Sequence, residues 1–233
     1  MIEVHELSKR YGATLAVDRL SFAVRPGLVT GFLGPNGAGK STTLRMMLDL
    51  DRPTGGTVRI NGRRYAALRH PLREVGALLE ARDAHGGRSA YHHLLWLAQT
   101  HRIGPARVRE VLDLVDLANV AGRRVKTFSL GMTQRLGLAA ALLGDPPILL
   151  LDEPLNGLDP AGVRWLRDLL RRLAGEGRAV LISSHLMTET ALTADHLVVI
   201  SGGRLVADAE IREFVGAAGS LEEAFLNRVG GAR

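Results

Sequence analysis

The stretch "GPNGAGKST", residues 34–42, has residue types and spacing suited to holding phosphate groups. Gly34, Gly39, Lys40 and Ser41 satisfy the pattern G-x-x-x-x-G-K-S/T. Glycines let backbone N–H groups converge on a phosphate, Lys40 can reach its outer oxygens, and the Ser41 hydroxyl can complete the shell of a Mg²⁺ ion. A glycine-rich turn without function is the alternative. Only three of the 30 basic residues are lysines, and Lys40 is one of them. Because the chain otherwise uses arginine, a lysine at this position indicates that the site requires a compact ammonium group.

Two adjacent carboxylates follow an apolar run in "ILLLDEP", residues 148–154. Side chains alternate along a strand, so Asp152 and Glu153 point to opposite sides and we expect different roles for them. Asp152 suits an outer-shell contact to Mg²⁺, and Glu153 can accept a proton from the attacking water or orient it. Without the phosphate loop, "DEP" would be read as a solvated turn. The two motifs together favour catalysis.

A histidine follows another apolar run, "AVLISSH", in which the last residue is His185. We expect His185 to sense the γ-phosphate, because ligands of open parallel sheets bind beyond the carboxyl ends of the strands. The alternative is a structural or merely exposed histidine. Metal binding through His92 and His93 is rejected, because neighbouring residues splay on a helix and H-E-x-x-H is absent.

A second candidate phosphate loop lies far downstream, at "FSLGMTQR", residues 128–135. A small hydroxyl residue and a glycine precede a run with helical spacing. Free backbone N–H groups and the helix dipole at such a point attract anions. The sequence therefore raises the question of why one domain would carry two such loops.

The pattern of apolar residues predicts the elements that position these motifs. Residues up to about 65 are typical of strands and turns, and residues from about 81 to 145 have helical spacing, with Val108, Val111, Leu112 and Val115 on one helix face. "ILLL" and "AVLIS" are apolar throughout, as in strands buried on both faces of a parallel sheet. A helix is predicted at about 160–174 between them, and "HLVVISGGRLVAD" and "SLEEAFLNRV" predict a strand–turn–strand unit and a final short helix. The simplest architecture is an α/β core interrupted by a helical insert.

Composition excludes several classes of protein. The 233 residues suffice for one large domain, and the absence of cysteine excludes disulfides, thiolate metal sites and thiol catalysis. No apolar run approaches the ~18 residues of a membrane span, and the start lacks the apolar core of a signal peptide, so we expect a cytoplasmic location unless something tethers the chain. The net charge of +6 comes from scattered arginines with only 4% aromatic residues. This favours a solvated basic surface over a nucleic-acid site, and anionic lipid headgroups remain a plausible neighbour.

In this order and approximate spacing, "GPNGAGKST", "FSLGMTQR", "ILLLDEP", "NGLD" and "SSH" resemble the ATP-binding-cassette (ABC) ATPases over nearly the whole chain. The resemblance implies a phosphate-loop NTPase core of the α/β class, with a RecA-like parallel sheet and an N-terminal antiparallel β subdomain. Residues 1–80 and 146–233 would form this core. A helical subdomain at about 81–145 would carry the family's signature loop, which in this sequence is "FSLGM", residues 128–132. The whole chain, 1–233, would be a single nucleotide-binding domain.

The resemblance also implies an answer to the question of the two loops. Two cassettes would pack head to tail around two ATP molecules, so that "SLGM" of one copy faces the phosphate loop of the other. Asn156 to Asp159, "NGLD", would link the two sites, and Tyr11 would stack on adenine with Val17 packing nearby. The alternative for Tyr11 is an ordinary strand residue. The resulting nucleotide-binding residues are Tyr11, Val17, Gly34, Pro35, Asn36, Gly37, Ala38, Gly39, Lys40, Ser41, Thr42 and Asp159, with Ser129 and Gly131 contributed in trans; the catalytic residues are Lys40, Glu153 and His185, and the metal ligands are Ser41, Glu80 and, through water, Asp152.

The sequence departs from the family pattern at two places. The usual Leu-Ser-Gly-Gly-Gln is Phe128-Ser129-Leu130-Gly131-Met132 here, so backbone contacts should persist without the glutamine side chain. Glu80 stands where most relatives have glutamine. A carboxylate can ligate Mg²⁺, but at ~4 Å and an effective dielectric of about 20 its extra charge near the γ-phosphate is worth a few kcal/mol. The alternative is a surface loop charge. Glu80 together with "SLGM" is similar to the subgroup that powers bacterial exporters of antibiotics and related compounds.

The function that we expect is Mg²⁺-dependent ATP hydrolysis coupled to export of a drug, antibiotic or lipid-like compound. The chain would lie peripherally on the cytoplasmic face of the bacterial membrane, where separate membrane permease subunits dock on its helical subdomain. Two alternatives stay open. The first is a soluble cassette ATPase that acts on nucleic acid or ribosomes, although such proteins usually have two cassettes or a long coiled coil. The second is a monomeric phosphate-loop switch or kinase, although such a protein needs neither "SLGM" nor "DEP" followed by "NGLD".

Overall fold

Alternating apolar residues near the amino terminus form a small antiparallel sheet. In the computed structural model, which describes residues 1–79 and 84–230, β1 (Ile2–Tyr11), β2 (Thr14–Val24) and β4 (Gly55–Ile60) pair in the order β2-β1-β4. Strand β1 turns directly into β2, with Tyr11 paired to Thr14. Ile2 and Val4 are buried and alternate with exposed positions, as in a half-buried strand. A register shift between Val4 and Leu7 interrupts the alternation, so that Leu7 is the next buried residue.

The continuous apolar runs form the centre of a second, larger sheet. Its order is β5-β6-β7-β3-β8-β9, from strands β3 (Val29–Leu33), β5 (Val75–Leu78), β6 (Ile148–Leu151), β7 (Ala179–Ser184), β8 (His196–Ser201) and β9 (Arg204–Glu210). The first five run parallel, and β9 pairs antiparallel with β8 at the edge. Every residue of β3, β6 and β7 is buried, because helices cover both faces of such a sheet.

Nine α-helices are found in the described part of the chain. They are α1 (Lys40–Met47), α2 (Pro71–Glu74), α3 (Ala90–Thr100), α4 (Pro105–Leu114), α5 (Leu130–Leu142), α6 (Pro160–Gly175), α7 (Met187–Thr193), α8 (Ile211–Val215) and α9 (Leu221–Gly230). Ser89, Ser129 and Asp159 cap the amino ends of α3, α5 and α6, each accepting a backbone N–H with its side-chain oxygen. No described helix has both the length and the apolar character that crossing a bilayer requires.

The insert helices α3, α4 and α5 share one apolar core with the sheet and α6. This cluster joins Leu94, Val111 and Leu136 of the insert to Leu151 of β6 and Leu166 of α6. The predicted face of α4 is confirmed, since Val108, Val111, Leu112 and Val115 are all buried. Continuous packing holds the signature loop, at the start of α5, in a defined position relative to the sheet.

The predicted fold class, an α/β phosphate-loop core with an antiparallel subdomain and helical insert, is confirmed. The prediction of only strands and turns up to residue 65 was wrong, because α1 begins directly after the phosphate loop. Strand β5 was also missed. Its four residues, "VGAL", are too short for periodicity to reveal. Gly76 in β5 lets α5 approach closely, since a Cβ there would lie 2.0 Å from the carbonyl oxygen of Ala141.

Candidate active site

The phosphate loop connects β3 to α1 and fits between two other strands. A Cβ atom at Gly34 would lie 2.4 Å from the carbonyl oxygen of Ile200, and one at Gly39 would lie 2.6 Å from that of Ala16. Gly39 also has φ 101°, in the left-handed region that favours glycine. Glycine is therefore required at both positions by packing alone. Ala38 is buried, whereas Pro35, Asn36, Gly37 and Ser41 are exposed at the surface of the loop and the start of α1.

Lys40 folds back into the loop that precedes it. Its Nζ donates to the carbonyl oxygens of Gly34, at 2.6 Å, and Pro35, at 3.3 Å, and the side chain is largely buried. Burial lowers the pKa of the Lys40 ammonium, and the nearby Glu153 and Asp152 carboxylates act in the opposite direction. The ammonium thus lies within electrostatic reach of both acids that the sequence singled out.

Sheet order brings together three polar strand ends. Strands β6, β7 and β3 are consecutive neighbours, and Ser184 at the end of β7 pairs with Leu33 at the end of β3. The segments that follow these strands carry Asp152 and Glu153, His185, and the phosphate loop. His185 Nδ1 lies 2.8 Å from Glu153 Oε2, so the structure brings these predicted catalytic residues to one edge of the sheet.

Glu153 has an unusual backbone conformation, with φ 47°. Its N–H donates to Ser183 Oγ at 2.8 Å. Its carbonyl oxygen accepts from Gln134 Nε2 of α5 at 3.2 Å and from the N–H of Asn156 at 3.1 Å. Ser183 and Gln134 were not predicted as site residues, although both lie inside the motifs named above. Their buried polar side chains would have been a signal, but burial depends on packing that the sequence does not reveal.

The signature loop packs against the "NGLD" segment of the same chain. A Cβ on Gly131 would lie 2.9 Å from the carbonyl oxygen of Gly157, and one on Gly157 would lie 2.4 Å from Cγ of Leu130. Ser129 Oγ accepts the N–H of Met132 at 3.2 Å, and Asp159 Oδ1 accepts that of Gly162 at 2.8 Å. Within one copy, Ser129 and Asp159 are therefore helix caps.

The two residues expected near adenine have different environments. Tyr11 is 48% exposed, and its hydroxyl donates to Asp51 Oδ2 at 2.9 Å. Desolvation and this carboxylate raise the pKa of the Tyr11 hydroxyl, which also lies close to Thr42. Val17 is completely buried and packs against Gly39. A direct contact of Val17 with a nucleotide is not compatible with that burial, and its effect on the site is to support the phosphate loop.

The remaining predicted metal ligand, Glu80, lies outside the described residues. Among residues 1–79 and 84–230, no three His, Cys, Asp or Glu side chains are grouped so that they could hold a metal ion. A different cavity, of about 730 Å³, lies at the amino ends of β3 and β8 and is lined by Arg25, Asp195 and Arg212 among others. This cavity lies at the opposite end of these strands from the phosphate loop, so it is separate from the site formed by Lys40, Glu153 and His185.

A phosphate loop, strand-end acids and a helical insert on one parallel sheet define the class of nucleotide-binding cassettes. Comparison with known proteins agrees with this class. The family described as ABC transporter matches residues 17–156. This chain therefore belongs to the ABC transporter family, as an ATP-binding subunit with ATPase activity.

Several relatives are similar over most of their length. The uncharacterized ABC transporter ATP-binding protein YhcH of Bacillus subtilis is 42% identical over 91% of this chain and 71% of its own. The lantibiotic transport ATP-binding protein SrtF of Streptococcus pyogenes is 34% identical over 98% and 97%. The bacitracin transport ATP-binding protein BcrA of Enterococcus faecalis is 39% identical over 91% and 70%.

Two solved structures are similar in fold. An ATP-binding subunit of an ABC transporter superposes with a TM-score of 0.88 at 27% identity, over 97% of this chain and 98% of its own. A dimeric structure of a bacterial ABC transporter cassette gives 0.83 at 25% identity, over 91% and 99%.

Proposed function

We propose that this chain is the ATP-driven subunit of an exporter that works as a head-to-tail dimer on separate membrane subunits. One observation carries the catalytic part of the proposal. The neighbouring strands β6, β7 and β3 end side by side, which brings Asp152, Glu153, His185 and Lys40 to one edge of the sheet. The carboxyl edge of a parallel sheet is where ligands of such folds bind.

In the proposed site, Lys40 and the amides of residues 34–42 hold the phosphates of ATP. The hydroxyl of Ser41 would bind Mg²⁺ directly, and the carboxylate of Asp152 would hold the ion through a water molecule. Mg²⁺ prefers oxygen ligands and takes few of them from the protein when phosphates provide others. When bound, the ion neutralises charge that develops on the transferred phosphoryl group. Glu80 stays a predicted ligand. The ring of Tyr11, exposed next to Thr42, is the proposed support for adenine.

Glu153 would orient the attacking water and accept its proton. A carboxylate can only accept hydrogen bonds, so in the 2.8 Å contact the proton is on His185 Nδ1. The proposed role of His185 is therefore to fix the Glu153 carboxylate and to respond to the γ-phosphate through its second nitrogen.

The proposed dimer explains the signature loop. The N–H groups of Leu130 and Gly131 lie in the first turn of α5, where they precede the first i→i−4 bond of the helix. Together with the positive end of the helix dipole they suit a phosphate. Supplying that loop to the nucleotide of a second copy agrees with the dimeric arrangement of the similar bacterial cassette. Asp159, next to this loop through Gly157, is the proposed link between the two sites.

A groove on the helical insert supports the proposed docking of a membrane subunit. It has a volume of about 390 Å³ and lies between α3, α5 and the segment after α1. Trp96 and Leu50 line it and are 48% and 56% exposed. The Arg88 guanidinium lies 4.7 Å from the centre of the Trp96 ring. An apolar groove with exposed aromatic and leucine side chains suits an amphipathic helix from a partner.

The proposed cargo is a peptide antibiotic or a related amphipathic compound. Its support is the similarity to SrtF and BcrA, which are named as lantibiotic and bacitracin transport proteins. Location at the cytoplasmic face of the membrane follows from the proposed permease docking.

The test is sedimentation of the Glu153→Gln variant, which should bind ATP without hydrolysing it. We expect this variant to be a dimer in the presence of ATP and Mg²⁺ and a monomer in the absence of ATP. The double variant Glu153→Gln, Lys40→Ala should be a monomer in both conditions. A monomer in the presence of saturating ATP would refute the dimer. Stimulation of wild-type turnover by nucleic acid would refute the transport role.

A further inference from the structure

One buried hydroxyl joins the two acids of the proposed site. Ser183, near the end of β7, is completely buried. Its Oγ accepts the N–H of Glu153 at 2.8 Å, and its O–H donates to Asp152 Oδ1. The direction of both hydrogen bonds is fixed, because the amide can only donate and the ionised carboxylate can only accept, and the serine hydroxyl has a single proton to give.

The hydroxyl constrains different parts of the two acids. On Asp152 it occupies one carboxylate oxygen, which leaves the second oxygen for a water molecule of the Mg²⁺ shell. On Glu153 it holds the backbone N–H, and the carbonyl on the other side of the same residue is held by Gln134 and Asn156. Both backbone groups of Glu153 are thus held while φ is 47°, a left-handed conformation that costs a non-glycine residue free energy and that these hydrogen bonds help to stabilise.

The conformation held in this way determines where the Glu153 side chain points. Neighbouring residues of a regular strand direct their side chains to opposite faces. The turn at Glu153 departs from the strand, and its carboxylate reaches His185 Nδ1 at 2.8 Å. Loss of the Ser183 contact would release the Asp152 carboxylate and the backbone of Glu153 together.

We propose that Ser183 is a positioning residue for both acids, and the proposal rests on the metal and catalytic roles proposed above for Asp152 and Glu153. Ser183 touches neither nucleotide nor water in this assignment. It sets the direction of the Asp152 carboxylate toward Mg²⁺ and the place of the Glu153 carboxylate relative to the γ-phosphate. In known metal sites, removing such an outer partner reduces metal affinity or activity about 10- to 100-fold.

The neighbouring residue Ser184 is a matched control. It is equally buried, and its Oγ also accepts a backbone N–H, that of Leu186 at 2.9 Å. It lies on the opposite side of β7 from Ser183, since consecutive strand residues alternate. A merely structural role of Ser183, filling space and satisfying one amide, would make Ser183→Ala and Ser184→Ala equivalent.

The experiment compares wild type, Ser183→Ala, Ser183→Thr and Ser184→Ala in the full chain. Isothermal titration with a non-hydrolysable ATP analogue at a series of Mg²⁺ concentrations gives the Mg²⁺ needed for half-maximal tightening of binding, and steady-state ATPase assays give kcat. For Ser183→Ala we expect the Mg²⁺ requirement to rise about 10-fold or more and kcat to fall at least as much. Ser184→Ala should stay within about twofold of wild type, and Ser183→Thr, which keeps the hydroxyl, should recover most of the loss.

Thermal unfolding measures whether each variant is folded and how stable it is. Both alanine variants lose one buried hydrogen-bond acceptor, so their stabilities should fall by similar amounts, and a difference in their Mg²⁺ requirements then reflects the positioning of the acids. Ser183→Cys, with a weaker donor and acceptor, replaces Ser183→Ala if the latter does not fold, and should show the same change to a smaller extent. Equal Mg²⁺ requirements in the folded Ser183 and Ser184 variants would overturn the proposal for Ser183. Absence of Mg²⁺-dependent binding in wild type would instead overturn the proposed function.

Discussion

His185 Nδ1 is in hydrogen-bond contact with Glu153 Oε2 at 2.8 Å, although 32 residues separate them in the chain. The contact joins the segments that follow β7 and β6, two strands that pair in parallel. It places an ionisable ring against the carboxylate proposed to handle the attacking water. The first prediction follows from this pair.

Replacing His185 with alanine should reduce kcat by about 100-fold or more, because the Glu153 carboxylate loses the group that orients it. The dissociation constant of ATP should change much less, since Lys40 and the loop amides remain. Steady-state kinetics and direct nucleotide titration measure the two quantities separately. His5→Ala, an exposed histidine on β1, is the control. Equal losses in binding and kcat would contradict the orienting role.

The buried ammonium of Lys40 should make stability depend on pH. Burial lowers the pKa of Lys40 from its ordinary value of 10.5. At pH values between the lowered pKa and 10.5 the unfolded chain binds more protons than the folded chain. The free-energy cost of burying this lysine therefore decreases as the pH rises. The free energy of unfolding of wild type, relative to Lys40→Met, should therefore increase as the pH rises through the alkaline range toward 10.5, by at most about 1.4 kcal/mol per pH unit.

Urea denaturation of wild type and Lys40→Met across this range tests the prediction. Lys126→Met removes an exposed lysine and should show a flatter difference. A difference for Lys40→Met that falls with rising pH would show that the ammonium is not penalised by its burial.

Sharing of each site between two copies predicts complementation between inactive variants. Lys40→Ala inactivates the phosphate loop and Ser129→Arg the signature loop, so neither variant alone should hydrolyse ATP. A mixed dimer has one site with both defects and one site with none. If copies pair at random and the sites act independently, an equal mixture should regain about one quarter of wild-type activity, as two-fold symmetry of the dimer requires. An inactive mixture with demonstrated mixed dimers would show that both loops serve the same nucleotide.

The close contact between the signature loop and the "NGLD" segment predicts a steric defect. In Gly157→Ala the new methyl would lie 2.4 Å from Cγ of Leu130, and φ is 78°. We expect a loss of about 1–3 kcal/mol in the free energy of unfolding, visible as a Tm lowered by several degrees. Gly157→Ala combined with Leu130→Ala should recover part of it.

Gly175→Ala is the control for that experiment. Gly175 is the last residue of α6, and a methyl group added there would meet only open space, so the substitution should be neutral or slightly stabilising. Unchanged stability of Gly157→Ala, measured by calorimetry, would show that the two loops separate at little cost.

Docking of a membrane subunit on the insert predicts a phenotype that appears only in the complex. Trp96→Ala should leave the ATPase activity of the isolated chain unchanged but weaken binding to the membrane subunit by about 2 kcal/mol or more, as loss of a central aromatic contact does. Co-purification from membranes and titration with the purified partner measure this. Leu226→Ala, an exposed leucine on α9, should bind normally. Normal binding by Trp96→Ala would place the partner elsewhere.

The sequence predicted those parts of the site that lie in short contiguous motifs. Lys40, Asp152 and His185 each follow an apolar run, and the rule that parallel strands end at one edge was enough to bring them together. It could not predict Ser183 or Gln134, because their partner Glu153 is distant in the chain and the contacts depend on the order of β6 and β7 and on the docking of α5. Val17 was misjudged for a related reason, since the side of β2 that is covered is decided by the packing of the phosphate loop.

A methyl group on Gly131 would press on the carbonyl oxygen of Gly157, and one on Gly157 would press on the side chain of Leu130. Natural selection would therefore preserve the signature glycine for its shape even in a descendant that had lost all enzymatic turnover. Persistence of Gly131 in degenerate copies of this gene would record an intact scaffold, whereas persistence of the acids at the end of β6 would indicate continued ATP hydrolysis.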